Sequence, residues 1–374
     1  MYTRIQKTCF VAFSYAFMSA CPVDHPSITT PGVVATINVG ITPDGMAITP
    51  DSRFGYVANN NNYGLPGGDT VSVLDLKNNT LKQTISDSSF SEPFRIAINP
   101  AGTKAYVANS NSTTISIIDI ATNTVTGVIN GFDGPSGMVI TSDGTTGYVN
   151  NYGGPEGVGS GNAITVRVVD LINNVIVGDP IVVGLAPAAL ALTPDNRFVY
   201  VVNYVNGNPG AGTMSVIQTS DNTVVNNITG FSGPFSIAIT PNGKYAYVTN
   251  FGSNDFSPIG TTVSVVKLST NTIVATINLA IQPSGIAITP NGRFAYVTNY
   301  NTLYAGANFT KLTAGQGTVN IIDIEKNEVV PPTIAVGQGP NSVAIAPNGK
   351  HVYITNFTSN TVSVIALPTH HCGR

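Results

Sequence analysis

The chain has 374 residues, of which 42% are hydrophobic and only 9% charged, where about 25% charged is usual for a soluble domain. Its 38 glycines and 24 prolines argue against a helical protein, because both residues disfavour helices and serve turns. Sixteen basic against 19 acidic residues give a net charge of −3; with no basic patch this argues against nucleic-acid binding, and no run of about 20 apolar residues exists to form a membrane-spanning helix.

At the start of the chain, Arg4 and Lys7 precede an apolar run from Cys9 to Met18 that only Ser14 interrupts. A basic end followed by a short apolar core is the layout of a secretory signal peptide; a buried first strand or helix is the alternative. The stretch Met18-Ser19-Ala20-Cys21 resembles a bacterial lipobox, in which the Cys becomes a lipidated N-terminus, although Met18 stands where Leu is usual. The expected organisation is therefore a signal segment over 1–20, a tether over 21–30, a repeat domain over 31–366 and a tail over 367–374.

The repeat domain is recognised by internal similarity. Residues 234–250 read PFSIAITPNGKYAYVTN and residues 283–299 read PSGIAITPNGRFAYVTN. Anchoring on the shared Tyr gives Tyr56, Tyr106, Tyr148, Tyr200, Tyr247, Tyr296 and Tyr353, spaced 42 to 57 residues apart. Each unit divides into four short strands, a to d. Strand a is an apolar run such as Ile286-Ala287-Ile288, and a Pro-Asn-Gly or Pro-Asp turn follows it. Strand b is Ala295-Tyr296-Val297-Thr298. Strand c alternates β-branched residues, as in Thr261 to Val266. A Thr-Asn-Thr turn then leads into strand d, as in Ile273 to Ile277. Seven such units predict an all-β fold, a seven-bladed β-propeller of four-stranded antiparallel blades. Blades bury both faces against their neighbours, which accounts for the apolar composition. The last unit ends after strand c, and a matching strand d sits at the other end of the chain as Val33 to Val39. The N-terminal strand is expected to complete the last blade and close the ring.

The stretches Tyr247-Val248-Thr249-Asn250 and Tyr296-Val297-Thr298-Asn299 resemble the YVTN repeat family of bacterial and archaeal propellers, over residues 31 to 366. That resemblance implies surface-layer-like, cell-surface or periplasmic proteins, or the scaffold of lactonase-like enzymes; a fold does not choose among these.

For chemistry, the face carrying the b–c loops is the first place to look, since several of those loops are long: 60–69, 152–162, 251–260 and 300–317. Five units place an aromatic after the strand-b Asn: Tyr152, Tyr204, Phe251, Tyr300 and Phe357. Packing between blades is one reading; a platform for a sugar or polymer is the other. Two residues past the repeated Pro, where strand a should face the channel, Arg95 is the only charge. It either pairs with Glu92 or the backbone, or contacts an anion at the channel mouth. Asp75, Asp119, Asp170 and Asp323 recur at the end of strand c and are expected to bond the following turn. His351 falls on a turn of the opposite face. No nucleophile–base–acid set, metal site or cofactor cradle is expected, the adjacent His370 and His371 being poorly placed to hold one ion. Cys21 and Cys372 approach one face, so a disulfide between them is the alternative to lipidation of Cys21. The expected function is an exported, non-catalytic binding or interaction propeller whose partner is an envelope protein or glycan. A lactonase- or lyase-like enzyme and a structural surface protein are the alternatives.

Overall fold

The computed structural model describes residues 31–61, 68–153, 164–204, 211–252, 259–280, 282–305 and 310–367, with the backbone alone for 302–305 and 310–314. Among these residues the regular elements are strands, in seven four-stranded antiparallel sheets and one two-stranded hairpin. Blade 4 illustrates the plan: Pro187–Leu192 is strand a, Phe198–Asn203 strand b, Gly212–Gln218 strand c and Thr223–Phe231 strand d. Blade 7 is assembled from both ends of the chain. Pro340–Ile345, His351–Asn356 and Thr361–Ala366 are joined by Val33–Asn38, with Ile37 opposite Val362. The N-terminal strand thus closes the ring, as the repeat predicts.

Seven apolar cores lie between the blades, one at each interface. Blades 4 and 5, for example, share Val202, Met214, Val216, Val248 and Val266. At the closing interface Ile37, Val362 and Val364 of blade 7 meet Val57 and Leu74 of blade 1. A sheet covered on both faces reads as continuous apolar sequence, hence the buried runs of strands b and c. Strand d is the outer edge and alternates instead, as in Thr272–Asn278, where exposed residues alternate with half-buried ones and Ile277 is buried in the core.

The repeated Tyr-Val-Thr-Asn stretch is explained by the joints between blades. The Tyr hydroxyl donates to the Asn of the c–d turn in the next blade. Tyr56 reaches Asn123 at 2.5 Å, Tyr148 Asn222 at 2.7 Å, Tyr200 Asn271 at 2.8 Å and Tyr247 Asn327 at 2.6 Å. Tyr353 of blade 7 reaches Asn79 of blade 1 at 3.2 Å. Each of these Asn residues has φ between 52° and 58°, a left-handed conformation that Asn tolerates better than most residues. The Thr clamps the first strand of the following blade: Thr249 Oγ1 donates to Ser284 O at 2.8 Å and Thr355 Oγ1 to Asp44 O at 2.6 Å. The Asn works within its own blade, as where Asn356 Nδ2 bridges Thr361 Oγ1 at 3.0 Å and Ser363 Oγ at 2.9 Å. The Val fills the core.

The strand-c aspartates cap their turns as expected. Asp170 accepts from the backbone of Ile172 and Asn173 and from the Asn173 amide, and Asp323 accepts from Glu325 and Lys326. Residues 300–317, expected as the longest loop, instead contain a hairpin of Thr302–Ala305 and Thr310–Ala314. His351 opens strand b of blade 7, half-buried, its ring 6.2 Å from that of Tyr353.

Candidate functional site

The inner strands reach the channel with a local irregularity that decides which side chains line it. Each begins with a Pro, whose missing N–H suits the first position of a strand, and each pairs with strand b through a register shift just after that Pro. The shift falls between Pro93 and Arg95 in blade 2 and between Pro43 and Met46 in blade 1. A bulge of this kind re-aims side chains, and the residues two and three past the Pro line the channel in every blade, joined in blades 1 and 7 by the residue directly after it, Asp44 and Asn341. The resulting cavity of about 200 Å³ is lined from all seven blades, with Asp44, Gly45, Arg95, Gly137, Asn341 and Ser342 along its polar side.

Arg95 is placed here as expected, but its partner is not Glu92. The opposing charge is Asp44 of blade 1, buried at 4% exposure, with the Asn341 amide beside its carboxyl. Glu92 interacts with Asp69 instead: its N–H donates to Asp69 Oδ1 at 3.1 Å, and burial together with the Asp69 charge raises its carboxyl. Burial pushes Asp44 up to about 7 against the pull of Arg95 and Asn341, and burial also lowers Arg95 against the pull of Asp44. Desolvation thus outweighs the pairing on both partners.

Arg95 fits because its neighbours are small. A Cβ on Gly45 would stand 2.7 Å from Arg95 Cα and 3.1 Å from its Cγ, and one on Gly137 would stand 3.5 Å from its Cδ. The guanidinium lies 5.6 Å from the centre of the Phe94 ring and 5.8 Å from that of Phe235. Phe235 belongs to blade 5, so the blade 2 arginine spans the channel, held by two aromatic faces.

Above the channel the five aromatics of the sequence pattern join one arc. Tyr204 meets Phe235 edge-on at 6.2 Å, Phe235 meets Phe251 at 5.3 Å, Phe251 meets Tyr300 at 6.2 Å, and Tyr300 meets Phe357 at 6.3 Å. Tyr152 packs against the same cluster, and burial raises its phenol. Tyr204 and Phe357 are 2% and 8% exposed, whereas Tyr152, Phe251 and Tyr300 are half-buried. Packing between blades therefore accounts for much of this ring surface. The arc covers blades 3 to 7 and stops at blades 1 and 2, where Asn60 and Ser110 hold the equivalent positions. The gap in the arc is where Asp44 and Arg95 enter.

Asp44, Asn341, Phe94 and Phe235 were not singled out from the sequence. A period of two points only the second residue past Pro at the channel, whereas the first joins the lining in blades 1 and 7. A signal was present: in the seven residues that directly follow the repeated Pro, Asp44 is the one charge. Cys21 and Cys372, like His370 and His371, lie outside the described residues.

Comparison with known proteins agrees with this architecture. A family model described as "Lactonase, 7-bladed beta-propeller" matches residues 229–372. The seven-bladed beta-propeller protein Rv1057 of Mycobacterium tuberculosis (strain ATCC 25618 / H37Rv) is 41% identical over 86 residues, covering 22% of this chain and 20% of that protein. The PE-PGRS family protein PE_PGRS18 of the same organism is 48% identical over 58 residues, 16% of this chain and 12% of that protein. The chain thus spans no more than a fifth of the length of these curated relatives. Among solved structures, Kuenenia stuttgartiensis hydrazine synthase superposes with a TM-score of 0.71 at 21% identity, covering 87% of this chain and 96% of that one; at that identity the likeness is one of fold. The protein is a seven-bladed β-propeller.

Proposed function

We propose that this is an exported binding propeller of the YVTN type that takes a small polar ligand at the long-loop end of its central channel. The observation that carries the reading is the buried Asp44 carboxyl, with the Asn341 amide beside it and the half-buried Arg95 as its opposing charge, in a channel lining that is otherwise uncharged. A fold gains little stability from such a pair, since burying two charges costs about as much as their attraction returns. A role in recognition explains its presence. Thermal-shift screening of small polar and charged compounds against the native chain and Arg95→Gln tests this. Hits that vanish in Arg95→Gln support it, and a screen whose hits ignore the substitution refutes it.

Export rests on Arg4, Lys7 and the apolar run to Met18, and attachment to the envelope rests on Cys21. Cell fractionation with fatty-acid labelling, comparing the native chain with Cys21→Ser, tests both. Label that depends on Cys21 makes this a tethered protein. Soluble protein outside the cytoplasm without label favours a Cys21–Cys372 disulfide, which reductant would reveal in the intact mass.

A second reading, lactone hydrolysis, is favoured by the name of the matching family model and by the Asp44 carboxyl. Held near 7, that group could take a proton from water attacking a bound lactone carbonyl, opening the ring ester to a hydroxy acid. Turnover of γ- or δ-lactones that Asp44→Asn abolishes would establish the enzyme; its absence across such a panel leaves the binding reading.

A further inference from the structure

The asymmetry of the channel mouth narrows the ligand, on the premise that the channel site just described is where the ligand sits. Going inward from the long-loop face, one meets first an arc of Tyr and Phe rings over five of seven blades. Next come Phe94 and Phe235, which hold the Arg95 guanidinium between them. The guanidinium, the Asp44 carboxyl and the Asn341 amide then lie together at the gap in the arc. One cation below an aromatic collar matches a ligand with one anionic group and a flat apolar body. The collar sets Phe94, Phe235, Phe251 and Phe357 beside Tyr152, Tyr204 and Tyr300; Tyr204 is buried and burial also raises the Tyr152 phenol, so ring surface outweighs the hydroxyls open to a sugar.

We infer that the channel mouth binds a small planar aromatic monocarboxylate, its carboxylate on Arg95 and its ring against Phe235 and the adjoining arc. A guanidinium suits this task because its planar fork of donors matches two carboxylate oxygens. The cavity of about 200 Å³ accommodates a single-ring acid.

Asp44 sets the pH behaviour. The groups around it are Arg95 of blade 2, the neutral Asn341 and Ser342 of blade 7, and Thr355 on its own carbonyl. An incoming carboxylate competes with Asp44 for Arg95, so binding favours protonated Asp44, which can then donate to the ligand. Binding takes up a proton, and affinity falls up to tenfold per pH unit above the free-state value of about 7.

Calorimetric titration of the full mature chain with benzoate, 4-hydroxybenzoate and 2-naphthoate tests this, with benzyl alcohol and benzylamine as neutral and cationic controls. The expected result is carboxylate binding that weakens between pH 6 and pH 8. It should drop at least tenfold in Arg95→Gln and several-fold in Phe235→Leu, and neither control should bind. Circular dichroism of each variant identifies any that fails to fold, and the pH dependence and controls on the native chain stand without them. Equal binding of benzoate and benzyl alcohol, or none of the three acids, overturns the inference. If neutral sugars then bind in an Arg95-dependent way, the channel site survives with a different ligand class. If no compound of any class depends on Arg95, the channel reading fails as well.

Discussion

At the scale of single residues, the same side-chain types serve joints and site with opposite consequences. The Tyr hydroxyls bond between blades in five places, but Asn174, the equivalent partner for Tyr106, has a buried Oδ1 with no hydrogen bond among the described residues. Tyr247→Phe should therefore lower stability by about 1 kcal/mol, a typical net value for one hydrogen bond, whereas Tyr106→Phe should change it little. Urea midpoints of the two variants measure the contrast. Asp44 behaves in the other direction. Its carboxyl rises from 3.8 to about 7 on folding, so the associated stability is complete below pH 4 and is lost as pH rises through 7. Asp44→Asn should match the native chain's unfolding free energy near pH 4 and exceed it at pH 8 by a difference on the order of a few kcal/mol, read from denaturant unfolding at the two pH values.

At the scale of elements, the turns carry the acid sensitivity. Asp51, Asp143 and Asp195 accept from hydroxyls and backbone N–H groups of the a–b turns. Asp143 is held below its usual range mainly by the Thr141 hydroxyl and the Thr145 N–H, and Asp195 mainly by the Thr193 hydroxyl; in Asp51 the bonds to Thr49 and Arg53 N–H outweigh a burial contribution of opposite sign. Carboxyls lowered on folding stabilise above the ordinary carboxylate range, and that contribution is lost as pH falls through their folded values. Blades 5, 6 and 7 use Asn242, Asn291 and Asn348 at this position with the same backbone bonds. Replacing all three aspartates by Asn should keep the turns and leave neutral stability slightly reduced. The acid limb of the unfolding profile should become shallower, which circular dichroism between pH 5 and pH 2 would record. The inner-strand bulge is the other decisive element. It was not legible in the sequence, because its extra residue follows from how Pro-led strands meet strand b, and with it Asp44 and Asn341 stayed out of sight.

At the scale of the whole molecule, stability depends on ring closure by Val33–Asn38. Ile37 is 4% exposed in the core shared by blades 7 and 1, so Ile37→Ala should cost about 2–5 kcal/mol, read from denaturant unfolding. Removal of residues 1–38 should cost the cooperativity of the transition itself, because blade 7 would expose strand c and its core. Val33 pairs with Ile365, so both described ends lie on the face of the a–b turns. The mouth with Asp44 and Arg95 opens on the opposite face, and an anchor at either end would leave it directed away from the anchor.

The sequence by itself determined the number of blades, the four strands in each, the closing strand and the turn-capping aspartates. All of these are local or repeated: a periodicity of two, a Pro-Asn-Gly turn and a recurrent Asx cap specify the same geometry each time they occur. It also marked Arg95, since a lone charge stands out against seven copies. Only the tertiary structure decided what Arg95 faces. Asp44 is 51 residues earlier and Phe235 140 residues later, and no local rule relates them. Ring closure brings blades 1, 2, 5 and 7 around one narrow axis, and burial along that axis turns an ordinary carboxylate into one that titrates near neutrality.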